Sequence, residues 1–244
     1  MARQIPSDRL QQLAQVATAV FIKQGYRRTQ MADVADAMGL AKGTLYLYVE
    51  SKEALFDLVC RAADSRDTPG RLPSLPIGTP RPGATAKYIG DRMRREGRWP
   101  LLNAAAMRRR AADIRTELTA IVEELYDLLN AHRTAIKLIE RCAADYPELA
   151  EVWYTGGREA QLALLTAYLD ARVRAGQIPP CGDTAIVARV VLENAATWAV
   201  HRYWDARPQT VSDAAARATV VDFIVRGLLA APAQRGGTKA RSRR

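Results

Sequence analysis

Glycines at 25 and 39 and a serine at 51 cut the first sixty residues into four short apolar-striped segments, and no such segment is long enough to hold a helix by itself. From about Ser7 to Lys23, with Ser7 as the capping residue, Leu10, Leu13, Ala14, Ala17, Val20 and Phe21 recur at spacings of three and four, the signature of one buried helix face. Gly25 ends that helix. A second is predicted from a cap at Thr29, with Met31, Val34, Ala35 and Met38 inward and Gly39 as its stop. A third covers Lys42 to about Val49, and Ser51 caps a fourth whose inner face is Leu55, Leu58, Val59 and Ala62. Four such helices must share one core.

The stretch TPGRLPSLPIGTPRPGA, residues 68–84, holds five prolines and three glycines and excludes regular helix, so a loop or linker and a domain boundary are expected there. Helical periodicity returns near Ala84 and continues, with breaks near Pro100, Pro147, Pro179 to Gly182 and Pro208. No series of strands is legible. The expected fold class is all-α: an N-terminal three-helix helix-turn-helix domain, with the fourth helix as its exit, over residues 1–66. A C-terminal helical ligand-binding and dimerisation domain follows over 67–231, and then a disordered basic tail over 232–244.

Composition excludes several function classes. There are 244 residues, enough for one large or two ordinary domains, and 48% are apolar, so the chain can bury a core. No apolar run approaches a bilayer span and the polar start has no signal-peptide core, so no membrane partner and a cytoplasmic location are expected. Three scattered cysteines and two distant histidines form no metal-ligand pattern; neither metal nor cofactor is expected. Half of the net charge of +10 lies in the last fourteen residues. A basic balance favours polyanions without deciding which. No nucleophile elbow, phosphate loop or dinucleotide motif is present, which speaks against an enzyme.

The second and third helices, joined through Met38, Gly39 and Leu40, have the spacing of a helix-turn-helix, in which the later helix projects and fits the major groove of B-DNA. Its outer face offers Lys42, Gly43, Thr44, Tyr46 and Tyr48. Lys42 can donate to guanine, Thr44 can meet a base edge or a thymine methyl, and Gly43 lets the backbone come close. The tyrosines can lie along sugar and reach phosphate, Lys52 can reach the flanking backbone, and Thr29 with the second helix's amino end can take a phosphate. On spacing alone, the alternative is that both tyrosines are half-buried aromatics of a plain bundle.

The segment FIKQGYRRTQMADVADAMGLAKGTLYLYVESKEALFDLV, Phe21 to Val59, resembles the TetR family of bacterial transcriptional regulators in its aromatic-glycine-aromatic start, Thr29, Ala35, Gly39, K-G-T-L-Y and S-K-E-A-L. Two positions depart from the family pattern: Ala41 stands where a capping Ser or Thr is frequent, and Val49 where many members carry Phe. The resemblance implies an all-helical homodimer that binds double-stranded palindromic operator DNA, a repressor released by a small-molecule effector. It implies DNA contacts from Thr29, Lys42, Gly43, Thr44, Tyr46, Tyr48 and Lys52. For the unknown effector, Trp99, Leu102, Asn103, Tyr126, Trp153, Tyr154, Arg158 and Trp198 are the candidate lining, with Gln161 a further polar anchor. The apolar helices near 183–204 and 211–229 either pair with a second copy or close the monomer core. A nonspecific DNA-coating protein driven by the basic tail is the alternative reading; its binding would lose sequence preference and fade with salt.

Overall fold

A computed structural model describes residues 7–64 and 74–230. The tail expected over 232–244 lies outside the described residues. Among the described residues there is no strand, and the helices run α1 Ser7–Gln24, α2 Met31–Ala37, α3 Lys42–Leu45, α4 Lys52–Ala62, α5 Ala84–Glu96, α6 Pro100–Ala106, α7 Ile114–Ala131, α8 Arg133–Ala143, α9 Pro147–Trp153, α10 Glu159–Arg174, α11 Thr184–Ala199 and α12 Asp213–Leu229. A π-helical segment, Tyr154–Arg158, joins α9 to α10, and a 3₁₀ turn, His201–Trp204, follows α11.

Several ends follow from local chemistry. The Ser51 hydroxyl accepts from the Ala54 amide at 3.1 Å and opens α4; the Asp183 carboxylate accepts from Ala185 at 2.8 Å and opens α11. Gly39 takes a φ of +64°, the left-handed conformation that lets the chain turn between α2 and α3. Other ends differ from expectation. The cap of α2 is Gln30, whose amide donates to the Asp33 carboxylate at 2.8 Å, because the Thr29 hydroxyl is turned back onto the Gly25 carbonyl at 2.7 Å. α11 stops at Ala199 instead of Trp204: Arg202 folds back onto the carbonyls of Trp198 and Val211, and both Arg202 and Tyr203 bond Asp213. Ser212, accepting from Ala215, then opens α12 two residues later than expected.

α3 departs most for its length. It stops at Leu45, and the segment expected to stay helical to Val49 continues as turns. The cause is distant in sequence: the Ile77 amide donates to the Tyr48 carbonyl at 2.8 Å, and the Glu50 amide donates to the Ile77 carbonyl at 3.0 Å, pairing Val49 with Ile77 as a parallel bridge. The Thr79 amide donates to the Glu50 carboxylate at 2.9 Å. Residues 74–83 are a strap against the exit of α3.

Two apolar cores result. One joins α6, α7, α10, α11 and α12 around Trp99, Leu102, Tyr126 and Tyr168. It encloses the Arg172 guanidinium, which is fully buried and satisfied by Glu117 at 2.8 Å and by the carbonyls of Ala105 and Arg108. The other joins α1–α4 around Phe21, Leu45, Leu55 and Phe56 and continues into Ile89 of α5, Leu138 and Cys142 of α8 and Leu149 of α9. Tyr26 stacks on Tyr146 at 4.7 Å and meets Phe56 edge-on at 4.9 Å. Apolar packing therefore runs across the position, near residue 66, where a boundary was expected.

Candidate DNA interface and cavity

The short α3 and the turn after it stand out from the core of α1–α4. Leu45 and Val49 are fully buried and hold the segment down, whereas Lys42, Gly43, Tyr46 and Leu47 are exposed and Thr44 is half-buried. Tyr46 is 41% exposed and Leu47 60%. A side chain added at Gly43 would meet nothing within 4 Å, so the backbone there is open to approach. The cap of α3, Ala41, offers no side-chain bond.

Three of the residues expected at DNA are used inward. Tyr48 is only 9% exposed and its ring belongs to the core, because the bridge to Ile77 draws the chain in at that point. Thr29 is 1% exposed, its hydroxyl committed to Gly25. The Lys52 ammonium donates to the carbonyls of Tyr26 at 3.0 Å, Thr29 at 3.1 Å and Arg27 at 3.4 Å, and lies 4.6 Å from the Tyr26 ring centre. Its three donors meet three acceptors, and the result is a clamp on the loop between α1 and α2. That loop presents Arg27 and Arg28, both exposed, which the sequence reading passed over although two adjacent arginines just before a helix start were a visible signal.

The second candidate is a cavity of about 280 Å³ between α5, α7, α8, the π segment, α10 and α11. Its wall is mostly apolar, from Ile89, Leu128, Ile136 and Leu192 among others, and its edge includes Cys60 of α4. Burial pushes the Cys60 thiol well above its ordinary range, so it lines the wall as a neutral group. Both histidines of the chain are here: His201 faces Glu140 at 3.6 Å and His132 faces Glu96 at 3.9 Å. Burial lowers the pKa of His201. Among the described residues no cluster of His, Cys, Asp and Glu has the makings of a metal site.

Of the residues expected to line an effector site, Trp153 and Arg158 are in this wall, as is Gln161. Trp99, Leu102 and Tyr126 are buried in the larger core instead, with the Trp99 indole donating to the Ile121 carbonyl and the Tyr126 hydroxyl to the Trp198 carbonyl. Trp198 packs at the border of that core, Asn103 bonds back to Trp99, and Tyr154 is 40% exposed. Large aromatics were a poor guide because most of them fill or border the core, while the cavity lies against the π segment and the two glycines within it. Gly157 is one of them: a Cβ there would fall 2.2 Å from Met93 Cε, so a larger residue would require the Met93 side chain to move aside.

Residues 13–59 match the model of the bacterial regulatory proteins of the tetR family. Over 55 residues the chain is 38% identical to the HTH-type transcriptional repressor KstR2 of Rhodococcus jostii, covering 22% of this chain and 27% of that protein. The aligned part thus spans about a quarter of the length of the curated relatives it matches. Among solved structures, the ketosteroid transcriptional regulator KstR2 of Mycobacterium tuberculosis is similar with a TM-score of 0.55 at 18% identity, over 91% of this chain and 95% of that one. The TetR-family regulator PfmR of Thermus thermophilus gives 0.51 at 19% identity, over 89% and 97%. At these identities the likeness is one of fold.

Proposed function

We propose, from the match of residues 13–59 to the model of the bacterial regulatory proteins of the tetR family, that the chain is a transcriptional regulator of that family that binds operator DNA. Its reading segment is Lys42–Leu47, and the observation that carries the proposal is the exposure of Lys42, Gly43, Tyr46 and Leu47 above a buried Leu45 and Val49. Lys42 and Thr44 address base edges, Tyr46 the sugar-phosphate backbone, and Arg27 and Arg28 the flanking phosphates. Tyr48, Thr29 and Lys52 support that surface from beneath. Residues 7–64 carry the DNA-binding function, and the remaining helices carry effector binding and dimerisation. The protein acts as a repressor released by a small molecule in the cavity, in the cytoplasm and without catalysis. Ile186 and Val190 on α11 and Phe223 on α12, at 63%, 58% and 66% exposure, form the contact between two copies.

The test is a gel-shift titration with DNA from upstream of the protein's own gene. Lys42→Ala and Tyr46→Ala are each expected to weaken binding by roughly tenfold to a hundredfold, with far-ultraviolet circular dichroism unchanged. Binding no tighter than to random DNA would refute the proposal. Binding abolished by removal of residues 235–244 would favour the nonspecific alternative.

A further inference from the structure

The loop between α1 and α2 is held from two sides. Lys52 of α4 takes the carbonyls of Tyr26, Arg27 and Thr29 from within the reading head. The other side belongs to the turn after α8, 118 residues further along the chain. There the Arg141 guanidinium donates to the Gln24 carbonyl at 3.1 Å, the Arg27 amide donates to Asp145 Oδ2 at 3.1 Å, and the Tyr146 ring stacks on Tyr26 at 4.7 Å. The approach is close: a Cβ on Gly25 would fall 3.0 Å from Asp145 Oδ2 and 3.3 Å from Arg141 Nη1. With the Gly25 carbonyl taken by the Thr29 hydroxyl, the carbonyls from Gln24 to Arg27 and that of Thr29 are all occupied. The backbone has little freedom left. What stays free is a pair of side chains, Arg27 and Arg28, both exposed and neither in an ion pair among the described residues.

We infer that Asp145 is a positioning residue for DNA binding: through the Arg27 amide it fixes the loop so that Arg27 and Arg28 reach the phosphates beside the bases that α3 addresses, with Arg141 and Tyr146 bracing the same loop. An arginine binds phosphate only as well as its backbone holds it within reach, and a loop ordered beforehand loses less conformational entropy when DNA arrives. Asp145 does not help DNA binding by its charge, because an anion beside phosphates repels them. On electrostatics alone, its removal strengthens binding. A mount for the loop predicts the reverse. The Arg27 amide makes the one hydrogen bond to the Asp145 side chain among the described residues, Oδ1 being buried without a donor, so removing the carboxylate tests that bond. This reading rests on the contact of Arg27 and Arg28 with phosphate proposed above.

Fluorescence anisotropy of DNA from upstream of the protein's own gene, titrated with the full chain at about 50 to 200 mM salt, compares Asp145→Ala with Asp145→Asn. Both variants remove the charge; only asparagine keeps an oxygen for the Arg27 amide. Alanine is expected to weaken binding by roughly fivefold or more and to lower the slope of log affinity against log salt by about 0.9 per head, one phosphate contact's worth. Asparagine is expected to bind at least as tightly as the parent, with the slope unchanged. Arg27→Ala/Arg28→Ala should lower the slope by about twice as much as one contact, and Asp145→Ala added to that pair should change nothing further. Alanine and asparagine that behave alike overturn the inference. So does an alanine that costs as much again in the Arg27→Ala/Arg28→Ala background, which marks a general loosening of the fold. An unchanged slope in Arg27→Ala/Arg28→Ala takes the loop away from DNA and the inference with it, while sequence-specific binding by the parent still stands. A parent that binds this DNA no more tightly than random DNA refutes the proposed function itself, and the role of Asp145 falls with it.

Discussion

Lys42 and Lys52 look alike in the sequence, each opening a short helix beside the same motif, yet the structure gives them opposite work. Lys42 is exposed, while Lys52 is held by the carbonyls of Tyr26, Arg27 and Thr29 some two dozen residues upstream. No spacing rule separates the two, because the difference is made by a loop that the chain brings back to α4. Removal of the clamp leaves three carbonyls to find water or go without. Lys52→Ala is accordingly expected to lower stability by about 1–3 kcal/mol, whereas Lys42→Ala stays within about 0.5 kcal/mol of the parent. Urea denaturation of the two variants measures this directly, and equal losses would contradict the clamp. Tyr48 and Tyr46 make the same point for aromatics: two residues apart, one is core and the other surface.

Element existence was legible and element length was not. Ser51, Asp183 and Gly39 act where their chemistry says they should, and the apolar spacing of α1 and α2 matches the buried faces, as does that of α4 except at Ala62, which is exposed while Ala63 is buried. The end of α3 could not be read from its own residues, since it is set by Ile77 through the strap, with a loop and a whole helix between. If the strap sets the pose of the reading segment, breaking the pairing should reach the DNA. Ile77→Pro removes the amide that donates to Tyr48. Operator affinity is expected to drop by roughly tenfold, in line with one carbonyl left unsatisfied, while circular dichroism keeps its helical signal. Undiminished affinity in that variant would leave the strap with no part in recognition.

For the molecule as a whole, α11 and α12 were visible in the sequence as the most apolar helices, and they carry Ile186, Val190 and Phe223 outward. The cavity was not visible, because its wall is assembled from seven helices and the π segment, and its histidines lie 69 residues apart in the chain. A twofold pair through α11 and α12 must cover roughly 800 Å² on each copy to be stable. On the proposed pairing, Phe223→Glu places a charge in the contact and is expected to yield monomers in sedimentation velocity and to weaken binding to a palindromic site at least tenfold; dimers that persist would remove these helices from the interface. The ring of Tyr26 against Tyr146 has a consequence for anyone recombining such proteins. A chimaera that borrows the reading head alone would carry raw aromatic flanks into its new host, so α8 and α9 must travel with it, or the host must supply rings of its own to meet them.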